Sequence, residues 1–441
     1  MNTNLQIRTL LLTAGVMPLH GVAATPPPDL SPETIEYVRS IVAEEMHAEP
    51  RDLTPSPEAD TGFEFSGYFR AGANAFLSGG SKNGGSCFGL NYPKNDGAYY
   101  RLGNECRDYA EFAFSHVQQV NDIKIAAVWM MDIAGDSRGP TTVEPWSRRT
   151  RQLYVEAEGL LPTGNLWVGR RYYRTQGFGD IHMFDAFYMQ SSGNGFGVTD
   201  IELGDDNSLH LAAFLNSDVE EPISDSNVLL FDARNEIGLG DTGDVVLGLQ
   251  FAQNDGGPDG ITATFEFQKT IGMLEQKTVL QYGTGIFAEN PGCMGTDGGC
   301  YNLTADSGDD NIRIFNTGLF NISPAFKVNY LALYENSDAF HELKSIGIRP
   351  HFMLSKYWSV LAEVGMNIYE KEGMEEQELM KYTLALQAST DAGDYWARPA
   401  LRFYVSSFDW NDAATAQSGL VRPEGNETDA LVAGVQTEIW F

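Results

Sequence analysis

The chain has 441 residues, a formal charge of −31, 46 glycines and 12% aromatic residues. Such acidity disfavours nucleic acid or an anionic membrane surface as partner, and no basic patch interrupts it. Past the N-terminus no run of roughly 18 apolar residues occurs, which excludes a helical membrane protein. A transmembrane β-barrel stays open, because its strands need one apolar face over roughly 9 to 11 residues.

Residues 1–24 read as a secretory signal peptide. Met1 to Arg8 is short and basic, Leu10 to Val16 is compact and largely apolar, and Val22-Ala23-Ala24 supplies small residues for cleavage after Ala24. Residues 25–60 read as a periplasmic extension with one short helix. Ser31-Pro32 is a helix start, and Ile35, Val38, Ile41, Val42 and Met46 recur at helical spacing until Pro50, Pro55 and Pro57 end it. A helix this short is marginal alone. Its apolar stripe implies either three copies meeting on a trimer axis or a cell-wall contact; the alternative is a disordered tail.

Residues 61–441 read as one barrel domain, because from Phe63 the period becomes two. Phe63, Phe65 and Phe69 share a face with Gly67, while Glu64, Ser66, Tyr68 and Arg70 take the other. In the last strand Leu431, Ala433, Val435, Thr437, Ile439 and Phe441 oppose Gly434, Gln436, Glu438 and Trp440. One face suits lipid and the other suits water. A closed barrel needs both ends of the chain to alternate, since its first and last strands must pair to leave no backbone edge in hydrocarbon. Alternation recurs at Arg107 to Ser115, Leu166 to Tyr172, Ile261 to Lys269 and Tyr395 to Ser406, with Tyr395, Leu401, Phe403 and Val405 as a lipid-facing set. Polar loops intervene, and the spacing predicts an all-β antiparallel barrel of about 16 to 18 strands. A terminal aromatic, Phe441, is a further outer-membrane signature.

The polar faces combine rings with charges. Tyr68 stands near Arg70, Tyr109 near Glu111, Trp396 near Arg398 and Trp440 near Glu438, each pair spaced to share one side of a strand. Rings pack on the apolar face of a pyranose and charged groups bond its hydroxyls, so this lining points to sugar. Arg70, Arg101, Arg151, Arg174 and Arg398 form a second group, with Glu111 and Asp185 as expected counter-charges. Four cysteines fit an oxidising compartment. Of three connectivities, the local pairs Cys87 with Cys106 and Cys293 with Cys300 are favoured. No metal or cofactor motif accompanies them, although Asp306, Asp309 and Asp310 would supply oxygen ligands for calcium in an outer loop.

Several segments resemble the maltoporin family of sugar-specific porins. They are Phe65-Ser66-Gly67-Tyr68-Phe69-Arg70, Tyr100-Arg101-Leu102-Gly103-Asn104-Glu105-Cys106 with Tyr109-Ala110-Glu111, and Trp167-Val168-Gly169-Arg170-Arg171-Tyr172-Tyr173. Asp180-Ile181-His182-Met183, Gly347-Ile348-Arg349-Pro350, Trp396-Ala397-Arg398-Pro399-Ala400 and Glu438-Ile439-Trp440-Phe441 follow in order. The resemblance implies a homotrimeric barrel of about 18 strands in the outer membrane of a Gram-negative bacterium, in contact with its lipids. It also implies a third loop folded into each channel and a line of aromatics that guides the sugar. Tyr68, Tyr109, Trp396 and Trp440 match that line, and Trp146 matches the tryptophan that reaches in from a neighbouring subunit. The family's remaining phenylalanine, expected near residues 261–267, has no counterpart. Arg70, Arg101, Glu111, Arg151, Arg174 and Asp185 match the polar track, and Cys87 with Cys106 matches the first-loop disulfide. The constriction tyrosine falls at Phe187, and the N-terminal extension resembles a shortened form of that in sucrose porins.

The expected function is facilitated diffusion of maltose, maltodextrins or related oligosaccharides. The alternative is a general diffusion porin for ions and small solutes. An enzyme is not expected, since His182, His210 and His341 sit in no recognisable nucleophile–base context.

Overall fold

The structure is a computed structural model. It describes residues 61–79, 88, 90, 100–105, 108–135, 147–173, 180–184, 186–216, 227–294, 305–338, 341–417 and 428–441. The expected signal peptide and N-terminal extension lie outside these residues, as do Cys87, Cys106, Cys300, Trp146, Arg174, Asp185 and the side chain of Cys293.

Eighteen long strands follow one another in the chain. They are β1 (Gly62–Ser78), β2 (Tyr109–Val120), β3 (Ile123–Ala134), β4 (Ser147–Glu158), β5 (Asn165–Tyr173) and β6 (Gln190–Gly204). Next come β7 (Asn207–Asn216), β8 (Val228–Gly238), β9 (Asp244–Asn254), β10 (Gly260–Ile271), β11 (Leu274–Thr284) and β12 (Asp310–Ser323). The last are β13 (Phe326–Ser337), β14 (His341–Met353), β15 (Trp358–Glu370), β16 (Gln377–Ser389), β17 (Ala400–Trp410) and β18 (Asp429–Trp440). Each pairs antiparallel with its neighbours in sequence, and β18 returns to β1, giving a closed 18-strand barrel.

Closure follows the expected phase. Tyr68 lies opposite Trp440 and Arg70 opposite Glu438, and beyond the ladder the Phe441 N–H donates to Gly67 O at 3.0 Å while Gly67 N–H donates back at 2.8 Å. Gly67 has no side chain for a local reason. A Cβ there would stand 2.6 Å from the Phe441 ring, so the bare backbone makes room for the terminal aromatic beside Phe65. The outer wall is apolar: Phe63, Leu153 and Ile346 are each 60% exposed or more. Leu401, Phe403 and Val405 face outward as expected. Tight turns such as Asn121-Asp122, Asp205-Asp206 and Gly272-Met273 close one end and long connections the other, the arrangement in which the short turns face the periplasm.

The interior is not uniformly wet. The segment after β5, residues 180–184 and 186–189, folds inward. Its Tyr188 donates to Glu266 Oε2 at 2.6 Å, its Tyr188 carbonyl accepts from Gln281 Nε2 at 2.7 Å, and its ring packs at 4.8 Å on Phe315. Met183, Phe184, Tyr188 and Met189 bury themselves against Val246, Val279, Phe315 and Leu331 of β9, β11, β12 and β13. Residues 100–105, after β1, fold inward too. Arg101 N–H donates to Met183 O, Leu102 N–H to Glu363 and Gly103 N–H to Gln436. The Tyr100 ring lies flat over Gly347 and Gly365, which are paired across β14 and β15 and leave no Cβ in its way. A further inward piece, Cys293–Met294, runs parallel to Gln190–Ser191.

Candidate functional site

Glu438 is the centre of the charged wall. The pleat of β18 turns Gln436 and Glu438 inward while Val435 and Ile439 face out, and the register sets Glu438 opposite Arg70 on one side and Ala400 on the other. Its Oε1 accepts from the Tyr68 hydroxyl and from Arg101 Nη2, both at 3.1 Å. Its Oε2 accepts from Arg398 Nε at 3.0 Å and from Arg402 at 3.1 Å. Arg101 also donates to the Tyr68 hydroxyl at 2.7 Å and to Glu105 Oε1 at 2.7 Å, and Arg70 stands 3.5 Å from Glu105. Three guanidiniums on one buried carboxylate make it expensive to remove, because Arg398 and Arg402 would lose their shared counter-charge and Arg101 one of its two.

Rings interleave with these charges. Tyr68 and Tyr109 lie 6.2 Å apart, the Arg70 guanidinium sits 5.2 Å over Tyr109, and that of Arg398 sits 4.1 Å over Trp440. The Tyr109 hydroxyl donates to Glu111. The adjacency of β18, β1 and β2 therefore brings Tyr68, Tyr109, Trp440, Arg70, Arg101, Glu111 and Arg398 together. Further carboxylates join the expected Glu111 as counter-charges. Glu105 and Glu438 serve Arg101, Glu438 serves Arg398, and Asp132 serves Arg151, at 2.7 Å from its Nε.

Trp396 reaches the lumen by another route. The expected strand from Tyr395 begins only at Ala400, so Trp396 and Arg398 are not neighbours on a pleat. They belong to an inward turn, residues 390–399, whose base is tied by Thr390 Oγ1 donating to Arg398 O at 3.1 Å and whose Trp396 N–H is capped by Asp394. Tyr395 is buried inside and does not face lipid: its hydroxyl lies 3.4 Å from Arg349 Nη1. Trp396 meets His182, from the opposite inward segment, edge-on at 4.8 Å. Burial, with the Arg349 guanidinium beside it, holds the His182 imidazole well below its ordinary value. A neutral ring leaves Nε2 able to accept from Arg349 Nη1 at 3.2 Å.

Arg349 also pairs with Glu363, which Lys381 contacts at 2.7 Å. Arg349, Glu363, Lys381, Arg402, Glu105 and Asp132 escaped sequence selection as pore residues. Strand phase signals the inward set, since Arg402 alternates with Leu401 and Phe403, but their partners lie on strands and segments far away in the chain. Phe187 packs edge-on against Tyr172 at 6.5 Å, and Tyr172 lies under Arg151 at 5.5 Å. Between residues 260 and 268 the lumen face carries Thr262, Thr264, Glu266 and Gln268, while Phe265 is exposed on the outer wall. No aromatic of that strand segment completes the line. The acidic run folds on itself, with Asp309 capping the Asp306 N–H and Asp310 accepting from Tyr282. Among the described residues no group of three metal-ligating side chains forms.

The model of the LamB porin family matches residues 63–441. The chain belongs to the LamB porin family. A maltoporin of Hahella chejuensis is 29% identical over 373 residues, which span 79% of this chain and 87% of that protein. Among solved structures, Acinetobacter baumannii OccAB4 has 11% identity and a TM-score of 0.50 over 88% of this chain and all of its own (100%). OccAB1 of the same organism has 9% identity and a TM-score of 0.50, over 87% and 98%. These two likenesses show the fold alone. This porin is an outer-membrane channel of a Gram-negative bacterium that works by diffusion through its lumen, and its family carries sugars.

Proposed function

We propose that this porin passes maltodextrin-like oligosaccharides along the wall formed by β17, β18, β1 and β2. One observation carries the reading: Tyr109, Tyr68 and Trp440 alternate with Arg70, Arg101 and Arg398 around Glu438. Each ring offers a flat apolar surface to a pyranose, and each guanidinium offers paired donors to its hydroxyls. Repeated weak contacts favour gliding over capture. Trp396 and His182 take part from the inward turns and Arg349 from β14, and Trp146, Arg174 and Asp185 complete the set by family position.

The test is a planar-bilayer titration of maltose, maltodextrins and sucrose against channel current. Concentration-dependent block that strengthens with chain length supports the reading. Ohmic conductance untouched by any sugar would assign a general diffusion porin instead. Phe187 lacks the hydroxyl of the family's constriction tyrosine, so Phe187→Tyr is expected to lengthen maltohexaose dwell times by about three- to tenfold, the worth of one hydrogen bond. Unchanged on- and off-rates would remove Phe187 from the site. We also take the chain as a homotrimer; crosslinking in intact membranes that stops at dimers counts against it.

A further inference from the structure

We propose that the sugars gripped best by this pore are acidic ones, oligosaccharides bearing carboxylates such as uronic-acid chains. The proposal rests on the sugar-channel reading and narrows its substrate class.

The starting point is a mismatch between the chain and its lining. The protein carries −31 overall, yet its buried described residues hold nine Lys and Arg against nine Asp and Glu. The acidity therefore lies elsewhere. From β14 round to β1 the described ion pairs tip positive. They join six cations, Arg70, Arg101, Arg349, Lys381, Arg398 and Arg402, to three carboxylates, Glu105, Glu363 and Glu438. Sharing explains the surplus. Glu438 serves three guanidiniums, Glu363 serves Arg349 and Lys381, and on β3, opposite Glu111 in the ladder, Asp132 serves both Arg149 and Arg151.

Hydrogen bonding tips the same way. A guanidinium has five N–H donors, more than half of one shared carboxylate can accept. Arg349 Nη2 and Trp396 Nε1 have no acceptor among the described residues. A neutral hydroxyl answers such donors with a dipole, whereas a carboxylate answers them with charge in the fork geometry that arginine matches. Acidic pyranoses keep the apolar face that Tyr68, Tyr109 and Trp440 would hold. The exterior charge does not veto entry. In solution of physiological salt its field decays over about 8 Å, while buried cations between low-dielectric walls are screened far less.

The experiment compares hexagalacturonate with maltohexaose as blockers of the full-length pore in planar bilayers. The acidic hexamer is expected to block at a roughly tenfold lower concentration, with an advantage that shrinks as salt rises from about 0.1 M to 1 M. Arg402→Gln should weaken acidic block more than neutral block. Should that variant fail to assemble, Arg149→Gln, whose side chain is 40% exposed, reads the same charge from β4, beside the wall. Equal block by the two hexamers, or an acidic advantage indifferent to salt, overturns the proposal while maltohexaose block keeps the sugar channel standing. Block by neither sugar overturns both readings.

Discussion

The wall of β17, β18, β1 and β2 and the wall from β9 to β13 are built on the same alternating strands, yet they meet different inward segments. The first turns Arg402, Glu438, Arg70 and Tyr68 toward the lumen. The second turns in Val246, Val279, Phe315 and Leu331, buried beneath Tyr188 and Met189 of an inward segment. Residues 100–105 lay Arg101 and Glu105 on the charges of the first wall, whereas residues 180–184 and 186–189 lay apolar side chains on the second. Where the latter cover the strands, apolar side chains gain by burial as they would in a soluble core, and the lumen narrows toward the opposite, charged wall.

Breaking the charged wall at its hub should have the largest effect. Glu438→Ala leaves Arg101, Arg398 and Arg402 without their shared carboxylate and is expected to cost about 3–5 kcal/mol. The urea midpoint of barrel unfolding, followed by gel mobility of unheated samples, measures it, and sugar block should disappear with it. On the covered wall, Phe315→Ala removes the ring under Tyr188 and should cost about 3 kcal/mol of stability. If the two walls divide the labour, maltohexaose affinity stays within about twofold in this variant, as distant sites behave independently. A large affinity loss would falsify that division.

Smaller changes sharpen the contrast from the wet side. Trp440→Ala takes away one stacking surface and is expected to speed maltohexaose dissociation by about three- to tenfold, with little shift in the urea midpoint. Off-rates equal to the native pore would show that Trp440 supports Arg398 without touching sugar. Tyr68→Phe keeps the ring and deletes a hydroxyl that accepts from Arg101 and donates to Glu438. A loss near 1 kcal/mol, seen in the same unfolding assay, is expected, and sugar affinity should fall less than in Trp440→Ala.

Much of the barrel was legible in the residues. Phe63, Phe65 and Phe69 opposite Tyr68 and Arg70, and Ile439 opposite Glu438 and Trp440, told the lipid face from the lumen and paired the two ends. Tyr395 shows where this reading fails. Its spacing from Leu401 suits one face of a strand, but the chain before Ala400 is a turn, and the ring goes inward to Arg349. Phase has meaning only inside a ladder. Arginine partners such as Glu105, Glu438 and Asp132 were not legible for a related reason: they come from other strands or from an inward segment.

By itself, then, the sequence determined the strands, their two faces, the closure through Phe441 and the presence of rings and arginines on the inner side. These are local properties, set by a pleat that sends successive side chains to opposite faces. Only the tertiary structure decided which inner faces are covered, which carboxylate each arginine shares and how Trp396 comes to meet His182. Those outcomes depend on contacts such as Arg101 to Glu438, 337 positions apart. Such a contact exists only once the barrel has closed and its loops have folded into it.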